Sequence, residues 1–80
     1  MRELLFTFPS TKTAIAGEKA LLKAGLAVKV MPMPEALSQE CGICLRLDPA
    51  DLDAGKNALA EAGIPIREIY RKEGNMLSSL

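Results

Sequence analysis

Residues 17–29 and 55–67 are similar enough to read as an internal repeat. Gly17, Ala20, Leu21, Ala24 and Gly25 recur 38 positions later as Gly55, Ala58, Leu59, Ala62 and Gly63, and Leu26, Val28 and Lys29 recur conservatively as Ile64, Ile66 and Arg67. The same offset lays Ser10 over Asp48, and both residue types favour helix N-caps because a side-chain oxygen can accept an orphan N–H of the first turn. Gly25 and Gly63 suit the left-handed residue that closes a helix. The chain is thus expected to be two similar halves, and any fold for it must use the same local pattern twice.

Each half reads strand, helix, strand. In the first, Arg2 to Phe8 is rich in Leu and Phe, a helix is expected from about Ser10 to Ala24, and Val28 to Met31 alternates as a strand. The helix stripe expected to face inward holds Ile15, Leu22 and Leu26, with Ala14, Leu21 and Gly25 beside it. In the second half, Gly42 to Leu47 alternates with Ile43, Leu45 and Leu47 on one face, and Asp48 caps a helix with Pro49 at its first position and Asp51 in its first turn. Leu52, Leu59 and Ala62 form its apolar stripe, Gly63 closes it, and Ile64 to Tyr70 is the last strand. Pro65 early in that strand points to a sheet edge, because proline has no N–H for a ladder. One detail conflicts: under the 38-residue offset Leu4, Phe6 and Phe8 fall on Gly42, Cys44 and Arg46, so the apolar parity of strands one and three differs by one position. A slip or a bulge would remove the conflict.

Two βαβ-like halves in the order βαββαβ fit an α+β, ferredoxin-like arrangement, a four-stranded antiparallel sheet with two helices on one face. Residues 1–71 are expected as a single α+β domain and 72–80 as a flexible C-terminal tail, with Met76, Leu77 and Leu80 available to cover part of the other sheet face. That open face, with Leu4, Leu5, Phe6 and Phe8 offering apolar side chains to both sides of strand one, is expected to bury itself by forming a homo-oligomer or by meeting a partner.

Composition narrows the function. Ten Lys plus Arg balance ten Asp plus Glu, and the chain has no His, no Trp and three aromatics, so it lacks the basic excess and stacking platforms of a nucleic-acid binder. The apolar run from Leu4 to Phe8 is far short of the ~20 residues that span a membrane, and the start of the chain does not read as a signal peptide. A cytoplasmic protein is expected, where thiols stay reduced and Cys41 and Cys44 are reactive, metal-binding or structural rather than a permanent disulfide. Two cysteines without histidine supply half of a zinc site, so no metal or other cofactor is expected unless a dimer's second CxxC completes four thiolates.

The right-handed crossover rule places three segments at one end of the sheet: Phe8-Pro9-Ser10-Thr11 leaving strand one, Met31-Pro32-Met33-Pro34 leaving strand two, and Cys41-Gly42 entering strand three. The first helix starts there, and its free N–H groups and dipole favour an anion. A thiolate near them is favoured below the free-thiol value of about 8.5, and the thiolate is the nucleophile. Cys41-Gly-Ile-Cys44 has CxxC spacing, but it opens a strand and not a helix, and residues three apart on a strand point to opposite faces. Cys44 is therefore expected to be structural, a resolving thiol only if a turn persists through Gly42. Ser10, Thr11 and Thr13 read first as helix caps and second as anion ligands. Pro32 and Pro34 stiffen their loop, and Arg46 reads as a solvated or interface charge, with anion holding as the alternative.

Phe8-Pro9-Ser10-Thr11, Ala14 and Glu18 on the following helix, Pro32-Met33-Pro34, and Cys41-Gly42 with Leu45-Arg46 resemble, in order and spacing, the selenium/sulfur carrier-like family of small bacterial proteins. The resemblance runs over roughly residues 3–70. It implies a sulfur or selenium carrier that holds the chalcogen on Cys41 as a persulfide or selenosulfide and relays it between donor and acceptor proteins, a relay more than a turnover enzyme. The candidate site is then Cys41 as nucleophile, Ser10, Thr11, Pro32, Pro34 and Gly42 as the surroundings of the anion or chalcogen, and Cys44 as a candidate resolving thiol. The alternative is a small regulatory or protein-interaction module that uses the open sheet face, with Cys41 incidental.

Overall fold

A computed structural model describes residues 2–34 and 42–80. The elements are β1 (Arg2–Thr7), α1 (Thr11–Lys23), β2 (Lys29–Pro32), β3 (Ile43–Leu47), a single 3-10 turn (Pro49–Asp51), α2 (Leu52–Glu61), β4 (Glu68–Glu73) and β5 (Met76–Ser79).

Both helices end by one device. At α1, Gly25 takes φ +82°, its N–H donates to Leu22 O and the Leu26 N–H donates to Leu21 O; at α2, Gly63 takes φ +71°, its N–H donates to Ala60 O and the Ile64 N–H donates to Leu59 O. Two orphan carbonyls are satisfied at each end, and Leu26 and Ile64 turn back onto the core. The starts differ. Ser10 caps α1 by accepting the Thr13 N–H at 3.1 Å. Asp48 accepts the Ala50 N–H at 2.9 Å, but it caps the 3-10 turn, and α2 follows only at Leu52.

The sheet has five strands in the order β2-β3-β1-β4-β5, every neighbouring pair antiparallel. The expected sheet of four is thus one strand short. β4 runs on to Glu73, the chain turns at Gly74 with φ +59°, and residues 76–79, set outside the sheet by the sequence reading, return as β5 alongside β4. β4 begins four residues later than expected and lies between β1 and β5, away from the edge. Pro65 precedes it, so the missing N–H never enters the ladder, and the Arg67 N–H donates to Thr7 O at 2.8 Å.

Both helices pack on one sheet face. Leu4, Phe6 and Phe8 of the first half and Leu45 and Leu47 of the second form one buried cluster with Ala14, Leu21 and Leu59. The register pairs Leu4 with Leu47 and Phe6 with Leu45, so the apolar sets of β1 and β3 share a face without any bulge between them. The parity conflict is a difference in linker length: Phe8 is two residues before the cap Ser10, whereas Leu47 is immediately before Asp48. The strands therefore repeat at one residue more than the helices do.

The inward stripe of α1 is not the expected one. Ala14, Gly17 and Leu21 are buried, while Ile15 and Leu22 are 44% and 53% exposed. Small residues win the sheet-facing side because the helix lies close. A Cβ on Gly17 would sit 3.1 Å from the Phe8 ring, and one on Gly55 would sit 2.9 Å from Leu47 Cδ2. The two glycines of the repeat are thus the contact points of the two helices with the sheet.

Candidate functional site

Alternation along the strands sends Leu4, Phe6, Leu45 and Leu47 to the helices, and so sends Glu3, Leu5, Thr7, Cys44 and Arg46 to the opposite face, which no helix among the described residues covers. By register Met31 of β2 and Tyr70 and Lys72 of β4 join them there. This face is not the apolar patch expected of it. Glu3 bridges two cations, with Oε2 3.3 Å from Arg46 Nη1 and Oε1 3.6 Å from Lys72 Nζ, and the Tyr70 hydroxyl donates to the Glu68 carboxylate. Of its apolar members, Leu5 and Cys44 are fully buried, and Met31 and Leu77 are half-buried. Arg46, weighed in the sequence as an anion holder, thus has a carboxylate partner. Glu3, which the sequence did not single out, belongs to this face by its alternation with Leu5 and Thr7.

The three segments expected at one end of the sheet are brought together as far as the described residues reach. Pro32 pairs with Ile43, and one step further the Met33 N–H donates to Gly42 O at 3.0 Å. The β1–β3 ladder reaches Phe6 with Leu45, Phe8 and Ile43 both pack in the core just beyond it, and the Ser10 cap of α1 follows two residues after Phe8. Gly42, the residue after Cys41, is exposed, and a Cβ there would meet nothing within 4 Å, so no crowding accounts for the glycine. Cys41 itself lies outside the described residues.

The remaining candidates divide by how far their atoms are committed. Ser10 is engaged as a cap, its Oγ 2.8 Å from Thr13 Oγ1 and accepting the Thr13 N–H. Thr11 opens α1, and Pro34 stands half-buried just past β2. Pro32 ends the edge strand β2 and directs its carbonyl to Cys44, whose Sγ–H donates at 3.9 Å. Cys44 is fully buried in β3. Its neighbour along the continued register is Thr7, whose hydroxyl is tied to β4 by donating to Glu68 O and accepting the Glu68 N–H. Cys44 is a packed strand residue with its sulfur turned toward the β2 backbone.

A hollow of about 330 Å³ lies at the other end of the sheet, between Arg2, Lys29, Arg46 and Asp48, remote from Gly42. Among the described residues no three His, Cys, Asp or Glu side chains converge as a metal site would require. No helix among them is long and apolar enough to cross a membrane.

A family model described as "Putative Se/S carrier protein-like" matches residues 3–71. The uncharacterized protein YtiA of Escherichia coli (strain K12) is 43% identical over 47 residues, which cover 59% of this chain and 55% of that relative. The chain therefore spans little more than half the length of the curated relative it matches. No solved structure matches.

Proposed function

Because this chain belongs to the Se/S carrier-like family, we propose that it carries sulfur or selenium on Cys41. The observation that carries the reading is the family match, which includes position 41 within residues 3–71. The pinned Met33–Gly42 backbone pair and the capped start of α1 at the same sheet end support it.

The chemistry is an exchange without net redox change. The Cys41 thiolate attacks the terminal sulfur of a donor persulfide, one sulfur–sulfur bond forms as another breaks, and the donor leaves as its thiolate. An acceptor nucleophile then attacks the terminal atom and Cys41 returns to the thiolate. With selenium, the terminal atom of a selenosulfide donor takes the same path. Ser10, Thr11, Pro32, Pro34 and Gly42 form the setting of the loaded anion, with α1's N-terminal end favouring negative charge. Cys44 contributes packing.

We read β1 to β4 with α1 and α2 as a ferredoxin-like unit to which β5 is an addition. The protein works as a single domain in the reducing cytoplasm, exchanging cargo with donor and acceptor proteins. Incubation with a cysteine desulfurase and cysteine, or with a selenosulfide donor, followed by intact mass analysis tests the carrier role. The expected result is a gain of one sulfur or selenium atom that a reductant removes and that Cys41→Ser abolishes. Loading equal in wild type and Cys41→Ser overturns the assignment to Cys41, and a wild type that gains no mass overturns the carrier reading and leaves an interaction module in its place.

A further inference from the structure

The two edges of the sheet are built differently. β2 carries Lys29 and ends at Pro32, a charge and a proline of the kind that keep an edge strand from pairing with another chain. β5, Met76–Ser79, carries neither, and the residue after it is Leu80. Met76 and Leu80 are 71% and 54% exposed.

The phase of the edge is set by a hydrogen bond. The Leu80 N–H donates to Ile69 O at 3.0 Å, so the backbone groups of Leu80, and by alternation those of Ser78 and Met76, point inward to β4. Those of Leu77 and Ser79 point outward. Side chains alternate at right angles to this. Ile69 packs on the helix-side core, and Leu80 with Leu52, Ile66 and Ile69 lines a hollow of about 310 Å³ on that side. Met76 and Ser78 share the helix side with Leu80.

We infer that β5 pairs antiparallel with β5 of a second copy about a two-fold axis at Ser78, joining two sheets into one. This register sets Leu77 opposite Ser79 of the other copy, so the four outward-pointing groups of each strand meet as hydrogen-bonded pairs. It also sets Met76 opposite Leu80 of the other copy, on the helix side, twice by symmetry. The two large exposed apolar side chains of the edge thereby cover one another, and Met76 lies against the mouth of the hollow that Leu80 lines. Shifting by one residue brings inward-pointing backbone against outward and forms no ladder. No charged side chain lies on the strand to oppose the approach of a like copy. A contact of this length is well below the ~1,600 Å² of a standard interface, so the dimer is weak and exchanges rapidly.

Sedimentation velocity from micromolar to millimolar concentration tests the pairing, independently of Cys41. Wild type is expected to move from monomer toward dimer over that range. Leu77→Pro and Ser79→Pro remove an outward N–H and leave the β4 ladder intact, and each is expected to weaken association about tenfold, a loss of about 1.4 kcal/mol, with circular dichroism confirming the fold. Met76→Lys and Leu80→Glu each weaken it, and the double variant restores it by setting an ammonium opposite a carboxylate in this register alone. A wild type that stays monomeric at millimolar concentration, whatever else the edge binds, overturns the inference. So does a dimer insensitive to both prolines, or a double variant no better than its singles.

Discussion

At the scale of single residues, Cys44 is the cysteine whose place in the fold is described. It is fully buried within β3, so a reagent reaches it only when the groups packed around it move apart. Iodoacetamide is expected to modify Cys44 slowly in native Cys41→Ser and quickly in the same variant under denaturant, whereas Cys44→Ser is expected to react fast without denaturant. Equal native rates in the two variants would remove the distinction on which the carrier proposal depends. The burial of Cys44 follows from its place inside β3, whereas the placement of Cys41 on the other side of that strand is an expectation from alternation alone. Arg46 was less legible. Its partner Glu3 is 43 positions away, and only the β1–β3 register brings the two together. Glu3→Gln leaves Arg46 and Lys72 without a carboxylate between them. Since both cations are more than a third exposed, the expected cost is below about 1 kcal/mol, shrinking as salt is added, and denaturant melts at low and high ionic strength measure it.

At the scale of elements, the helices were legible through their ends, and their rotation was not. Gly25 and Gly63 close α1 and α2 as the repeat implied, because a positive φ is a local property that only glycine adopts cheaply. The face of α1 that meets the sheet depends on how near the sheet lies. That distance favours Ala14 and Gly17 over the larger Ile15 and Leu22, which a hydrophobicity pattern ranks higher. The parity conflict of β1 and β3 was visible in the sequence but not its cause, the shorter link between Leu47 and Asp48. Gly55, a residue that lowers helix propensity by ~1 kcal/mol relative to Ala, is explained by the same closeness. Gly55→Ala would drive a methyl to 2.9 Å from Leu47 Cδ2, and Leu47 is itself buried. Overpacking of this kind costs about 1–3 kcal/mol, which outweighs the propensity gain. The expected result is a lower Tm, by roughly 4–8 °C for each kcal/mol in a domain of this size. Gly17→Ala, with its contact at 3.1 Å to the Phe8 ring, is expected to lose less, and the reverse order in thermal melts would contradict the packing account.

At the scale of the whole molecule, the strand order ties the halves together more tightly than the repeat suggests. β1 and β2 belong to the first half but are not neighbours, and β3 and β4 belong to the second but are not neighbours either. Every ladder from β2 to β4 joins one half to the other: β2 to β3, β3 to β1, β1 to β4. The pairing internal to a half is β4 with β5, a hairpin of the sort that is marginal by itself in water. The core is shared in the same way, since Leu4 and Phe6 meet Leu45 and Leu47 by register, and Gly17 of α1 approaches Leu59 of α2. A half therefore has helices with suitable caps but no sheet on which to bury them, and isolated helices of 13 and 10 residues are too short to persist. Separate peptides covering residues 1–38 and 39–80 are each expected to lack cooperative unfolding. The intact chain is expected to unfold in one step, with far-ultraviolet dichroism and Tyr70 fluorescence tracing the same denaturant curve. A peptide of either half that shows its own cooperative transition, or two separated transitions in the intact chain, would mean that the repeat marks two folding units and not one interlocked sheet.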